Sequence, residues 1–334
     1  MNANFFGRLG VLRGVKADQQ LIVFLLFVAL FILFSLTLPS FFGVGNLFTL
    51  LRTVSVLGIL GLGMAVVVVG RGIDLSMIAC LTVPTSVVLM LSGHGHGLAV
   101  SLLGGFGMAA LVGMLNGLLV AYAEIPSLFA TLAVGIGLAG VGQSGLFDYE
   151  IVPWPPSLDV IGWLGRGEFH GVPYSVFAFA IATAVVGVFL RRTRFGVFIY
   201  AIGDNPSGAR IAGISVRPIM MLQYVISAVI AVFAGLVLAS SASNMDTRIF
   251  NLTWIYDVIL VVVLGGIGLS GGRGGALSVI VGTLLMGTII NGMTIMNISF
   301  EVQSLIKGVV LLAAIGLDSV INPRNEETAQ QGDI

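Results

Sequence analysis

The chain has 334 residues, of which 57% are hydrophobic and 9% charged, with fifteen acidic side chains balancing fifteen basic ones. An average soluble domain carries about a quarter charged residues, so this composition excludes a water-covered globular surface, and the scattered basic residues exclude a nucleic-acid face. Cys80 is the single cysteine and lies in an apolar run; it reads as a small packing residue and leaves no material for a disulfide framework or a thiolate metal cluster.

Apolar runs recur from residue 20 to residue 318 with short polar breaks. At roughly 17–25 residues per span, they predict an all-α polytopic membrane protein of about ten transmembrane helices. These fall near 20–38, 47–70, 77–92, 98–122, 127–147, 172–190, 218–240, 254–270, 276–296 and 302–320. The first run follows Arg8, Arg13 and Lys16. It is too long for a signal h-region of about 7–15 residues and no small-residue cleavage site follows, so it reads as a retained helix. The domain reading is a cytoplasmic segment 1–19, a permease domain 20–320 and a cytoplasmic tail 321–334.

With the N-terminus inside, Arg8, Arg13, Lys16, Arg71, Arg191, Arg192, Arg194, Arg210, Arg217, Arg273 and Arg324 fall on the cytoplasmic side. Arg52, Arg166, Arg248 and Lys307 remain. The positive-inside rule then places both termini in the cytoplasm. Ten spans in this order are compatible with two inverted five-helix repeats, an arrangement used for alternating access. Glycines at Gly58–Gly61–Gly63, Gly104–Gly105–Gly107 and Gly135–Gly137–Gly140 predict close helix contacts, because small residues let backbones approach where lipid supplies no hydrophobic drive.

The first informative break is GRGIDLS, 70–76. Its charged residues, Arg71 and Asp74, are either a functional site beside lipid or a snorkelling ion pair; Ser76 closes the segment. Farther on, the turn with His94 and His96 has too few ligands for a metal site. The outer segment 148–171 combines Asp148, Glu150, Asp159 and Glu168 with Trp154, Trp163 and three prolines. It reads as a periplasmic cap able to receive a partner, with its tryptophans as headgroup-level anchors.

The loop 191–217 is the most informative. Asp204 or Asn205 can serve as an N-cap, Pro206 fits the first helical position, and Gly213 can close the C-terminus. A separately capped helix of about two turns on the cytoplasmic face suits the delivery of motion from a soluble partner; the alternative is an ordinary loop whose arginines set orientation. The second glycine-rich break, LGGIGLSGGRGG at 264–275, contains Gly265, Gly266, Gly271, Gly272 and Arg273. At roughly 1 kcal/mol per glycine against alanine, it predicts a tight or flexible turn. Within the spans, Asn116, Gln143 and Asn291 are the candidates for a solute pathway, since amides bind hydroxyls, although interhelical bonding is the commoner use. Asp257, Glu301 and Lys307 fall toward outer helix ends, as ion-pair partners or as contacts for a binding protein.

IDLS (73–76), GDNPSGARIAGI (203–214), VLGGIGLSGGRGG (263–275) and FEVQSLIKGVVLLAAIGLD (300–318) occur in this order. Together they resemble the permease subunits of ribose, galactose and arabinose ABC importers, which are similar to the branched-chain amino acid permeases. The resemblance implies a permease that pairs with a second permease subunit, as a homodimer or heterodimer, and receives a monosaccharide from a periplasmic binding protein in the inner membrane. It also implies two cytoplasmic ATPase subunits. Their coupling region would map onto Gly203, Asn205, Pro206, Ala209, Arg210, Ala212 and Gly213, so that Ala209→Asp or Arg210→Glu should weaken docking. This chain is expected to bind no cofactor itself, with ATP and Mg on the ATPase: Lys16 and Lys307 are followed by Ala17 and Gly308, not by the Ser/Thr of a phosphate-binding loop. No nucleophile–base set for an enzyme is visible. Another small polar solute (a polyol, an autoinducer or a branched-chain amino acid), an ion-coupled secondary transporter and a membrane scaffold are the competing readings.

Overall fold

A computed structural model describes residues 19–146, 150–251 and 254–321 of the chain. The proposed N-terminal segment and C-terminal tail fall almost wholly outside them, as does Asp148. Each of the ten apolar runs is a helix. In chain order they are α1 (Gln19–Thr37), α2 (Val44–Val69), α3 (Met77–Gly93), α4 (Leu98–Ala121) and α5 (Ser127–Val141). After a short amphipathic α6 (Asp159–Arg166) come α7 (Tyr174–Arg192), then α8 (Arg194–Asp204), which the sequence reading did not separate from the loop, α9 (Pro206–Ile211), the capped inner helix it expected, and α10 (Val216–Ala242). The chain ends its helical part with α11 (Trp254–Leu264), α12 (Ala276–Ile295) and α13 (Phe300–Ile321). Among the described residues, seven helices are long and apolar enough to cross a membrane: α1, α2, α4, α5 with its continuation, α7, α10 and α12. The apolar α3 and α11 are shorter.

Burial sorts the helices by role. A helix apolar all round must lie in a core or in lipid, and both cases occur. α2 is enclosed along nearly its whole length, whereas α1 buries only Val23. The long α10 packs across α2, α3 and α4. Its closest approach is to α4, where a Cβ on Gly113 would lie 2.6 Å from Val225 Cα and one on Gly117 2.5 Å from Met221 Cα. Small residues four apart thus bring two backbones together. The expected glycine faces are partly right. Gly58 meets the Phe179 ring, Gly61 meets Val261 and Val279, Gly63 meets Met77, Gly104 and Gly105 meet α3, and Gly135 meets Ser76, but Gly107, Gly137 and Gly140 face open space.

One end of the bundle carries a cap. β1 (Ile151–Pro153) pairs antiparallel with β4 (Asn244–Asp246), the strand that follows α10, while β2 (Glu168–Phe169) and β3 (Val172–Pro173) form a short hairpin. Trp154 is buried and its Nε1 donates to Asp159 Oδ1 at 3.1 Å. It is a packing residue of the cap and not a headgroup anchor, because its polar edge is satisfied inside the protein. Trp163 is exposed.

Candidate functional site

At the opposite, arginine-rich end, α8 and α9 form a rigid protrusion. Thr193 caps α8 by accepting from Gly196 N at 3.1 Å, and α8 buries Gly196, Ile199, Ile202 and Gly203, a helical-period face. The next helix starts as the sequence predicts, with Asn205 rather than Asp204 as its cap. Asn205 Oδ1 accepts from Gly208 N at 2.9 Å and Pro206 takes the first position. It ends in a Schellman motif: Gly213 has φ +82, its N–H donates to Arg210 O, and Ile214 N donates to Ala209 O, both at 3.0 Å. Only a residue without a Cβ adopts that φ freely.

The three glycine-containing motifs meet here. Gly272 N donates to Val69 O at 2.8 Å, a Cβ on Gly203 would collide with Val69 O and Gly272 N, and one on Gly272 would lie 2.9 Å from Asp204 Cα. Tyr200 donates its hydroxyl to Gly274 O at 2.6 Å, and burial pushes the phenol above its ordinary range, so the donor proton stays. The turn 264–275 is therefore tightly packed; Gly266, Gly271, Gly272 and Gly274 have positive φ. Gly265 abuts Ser278 O. α8 is thus held against the end of α2 and the turn that joins α11 to α12.

The expected coupling residues differ in exposure. Asn205, Arg210, Ala212 and Gly213 are exposed, Pro206 is half-buried, and Gly203 and Ala209 are buried, Ala209 at 4%. Ala209 faces the bundle and holds α9 to it, which corrects the expectation that Ala209→Asp would act on docking alone. The sequence reading passed over Ile211, which is 88% exposed. An apolar residue at the tip of a helix otherwise built for water was the available signal.

Behind the clamp, Asp74 is fully buried and does not pair with Arg71. Its Oδ1 accepts from Ser76 N and Ser76 Oγ at 3.0 and 2.6 Å, and its Oδ2 accepts from Ser227 Oγ at 2.7 Å. Arg71 takes a left-handed φ of 72. Of the two alternatives, the ion pair fails, because three neutral donors already satisfy the carboxylate from within the bundle. Asn116 belongs to the same network, donating Nδ2 to Ser76 Oγ at 2.7 Å. Asp74 thereby ties the break after α2 to α3, α4 and α10.

At the capped end lies a cavity of about 400 Å³, bordered by Arg52 and Val56 of α2, Ser175 of α7, Ser241 of α10, Trp254 and Asp257 of α11, Ile290 of α12, and Gln303 and Lys307 of α13. Lys307 and Asp257 form a buried pair across α11 and α13, with Nζ 2.8 Å from Oδ1 and 2.9 Å from Oδ2. None of the three amides expected on a pathway lines this cavity. Asn116 is buried in the Asp74 network, Gln143 is exposed in the π-helical turn that extends α5, and Asn291 exchanges two 2.9 Å hydrogen bonds with Asn46. In an apolar bundle an amide takes the nearest polar partner, and here that partner is another helix.

A helical bundle spanning a bilayer, with a capped two-helix protrusion at one end and at the other a mostly apolar cavity that carries a few polar groups, fits the membrane component of a transport system. Residues 46–315 match the family described as branched-chain amino acid transport system / permease component, and the chain belongs to that family. Among its relatives are the ribose import permease protein of Escherichia coli K12 (30% identical, 90% of this chain and 93% of the relative) and the L-arabinose ABC transporter permease protein of Azospirillum brasilense (32%, 92% and 89%). The galactofuranose transporter permease protein of E. coli K12 is 31% identical over 85% of each chain. No solved structure matches the chain.

Proposed function

We propose that this chain is the membrane-spanning subunit of an ATP-binding-cassette importer that translocates a monosaccharide handed over by a periplasmic binding protein. The arginine-rich end faces the cytoplasm, as the distribution of basic residues requires, and the capped end faces the periplasm. The observation that carries the reading is the α8–α9 protrusion, stiff and capped at both ends of α9, clamped to the helix ends behind it and presenting Ile211 to a partner. The chain supplies no phosphate-binding loop, so ATP and Mg are held by separate ATPase subunits, and a second permease copy or a related permease completes the pathway. The sugar class is inferred from what the relatives' names say they carry, at 30–32% identity over most of both chains.

The test is ATP-dependent uptake in liposomes containing this chain, its ATPase and its binding protein, with radiolabelled ribose, arabinose, galactose and leucine in parallel. Sugar uptake that requires all three proteins is the expected result. Uptake by the chain alone under an ion gradient, or uptake of leucine and not of sugars, overturns the proposal.

A further inference from the structure

The wall of the cavity at the capped end is mostly apolar, but it carries polar groups that the packing leaves without partners. Ser175 is 1% exposed, yet its Oγ has no hydrogen-bond partner, and Arg52 Nε is buried without one. Among the described residues Arg52 forms no ion pair, and both residues line the cavity. A buried polar atom left unpaired costs about 1–3 kcal/mol, so orphaned donors on the wall of a partly open cavity point to a guest that completes them. At about 400 Å³ the space falls within the range of roughly 300–1,000 Å³ usual for small-molecule sites.

From this geometry we infer that the cavity between α2, α7, α11 and α13 is an intramembrane binding site for a neutral polyhydroxylated solute, a way station inside the single subunit. This inference rests on the importer reading and names the substrate class of the pathway. Hydroxyls both donate and accept, and the walls offer both: the Arg52 guanidinium donates, Ser175 does either, and the face of Trp254 suits an apolar side of a sugar ring. An amino acid fits less well, because among the described residues no free carboxylate on the wall neutralises its ammonium group. Asp257, the one carboxylate lining the cavity, is already held by Lys307 at 2.8 Å.

Along α2, Arg52 stands 17 residues from Val69, or about 25 Å at 1.5 Å per residue. The site therefore lies nearly a bilayer core away from the α8 clamp, and α2 is the rigid element common to both.

The test uses the assembled transporter carrying Ser241→Cys, which puts a thiol on the cavity wall; the native cysteine, Cys80, is buried. A membrane-impermeant methanethiosulfonate is added from the periplasmic side and labelling of the permease is followed by mass, with ribose, arabinose, galactose, gluconate or leucine present at up to 100 mM. The expected result is labelling slowed at least threefold by one of the neutral sugars and unaffected by leucine. Arg52→Gln or Ser175→Ala in the same background should raise the protecting concentration about tenfold. An unlabelled thiol, labelling that no solute slows, or protection by leucine or gluconate alone overturns the site. If uptake remains ATP-driven while no sugar protects, the cavity assignment fails and the importer reading stands; if uptake itself is not ATP-driven, the importer reading fails.

Discussion

Ile211 provides the sharpest test of where the driving partner docks. Its side chain is 88% exposed at the tip of α9, so Ile211→Ser removes almost no contact within the subunit and should leave folding and insertion unchanged. Full burial of an isoleucine side chain contributes roughly 1.5–3 kcal/mol. At 1.4 kcal/mol per factor of ten, docking of the ATPase should weaken about 10- to 100-fold if Ile211 enters a pocket on the partner. The assay is titration of purified ATPase against the permease in nanodiscs, with coupled hydrolysis measured alongside. Ala209→Asp is the contrasting variant. Ala209 is 4% exposed, so its carboxylate would have to be buried, and the expected effect is loss of α9 and of correctly folded protein, not selective loss of docking. An Ile211→Ser permease that binds ATPase within twofold of the native chain would falsify the assignment of this surface.

Asn205→Ala removes the cap hydrogen bond to Gly208 N; a loss of about 0.5–2 kcal/mol should appear as faster hydrogen exchange at 206–211 and a partial fall in coupled hydrolysis. Lys307→Met leaves Asp257 buried without its cation, at a cost of about 3–5 kcal/mol. Thermal unfolding in detergent should show a large drop that Asp257→Asn with Lys307→Met largely restores, and equal stabilities of the single and double variants would count against a buried pair. Gly117→Val puts a Cβ 2.5 Å from Met221 Cα and should cost about 1–3 kcal/mol or more, read as a lowered Tm. Gly107→Ala, at an open position, should have little effect.

Much of this protein is visible in its letters. Hydropathy located the ten apolar helices, since a bilayer requires long runs whose backbone bonds are satisfied internally. The Asn-Pro start and glycine end of α9 were legible because caps are local, governed by φ preferences and side chains a few residues away. α8 was missed because its apolar residues merge with the loop composition, and its helical face is defined only by what it packs against.

The functional surfaces depended on tertiary structure. The sequence by itself determined the solvent, the apolar helices, the capped inner helix and the family motifs, through composition and short-range geometry. It could not show that Asp74 turns away from Arg71 toward Ser76 and Ser227, that Ala209 faces inward while Ile211 faces out, or that Asp257 finds Lys307 fifty residues later. Each of these is a choice of partner among groups remote in the chain. In an apolar bundle that choice falls to whichever polar atom the packing of helices brings within hydrogen-bond reach.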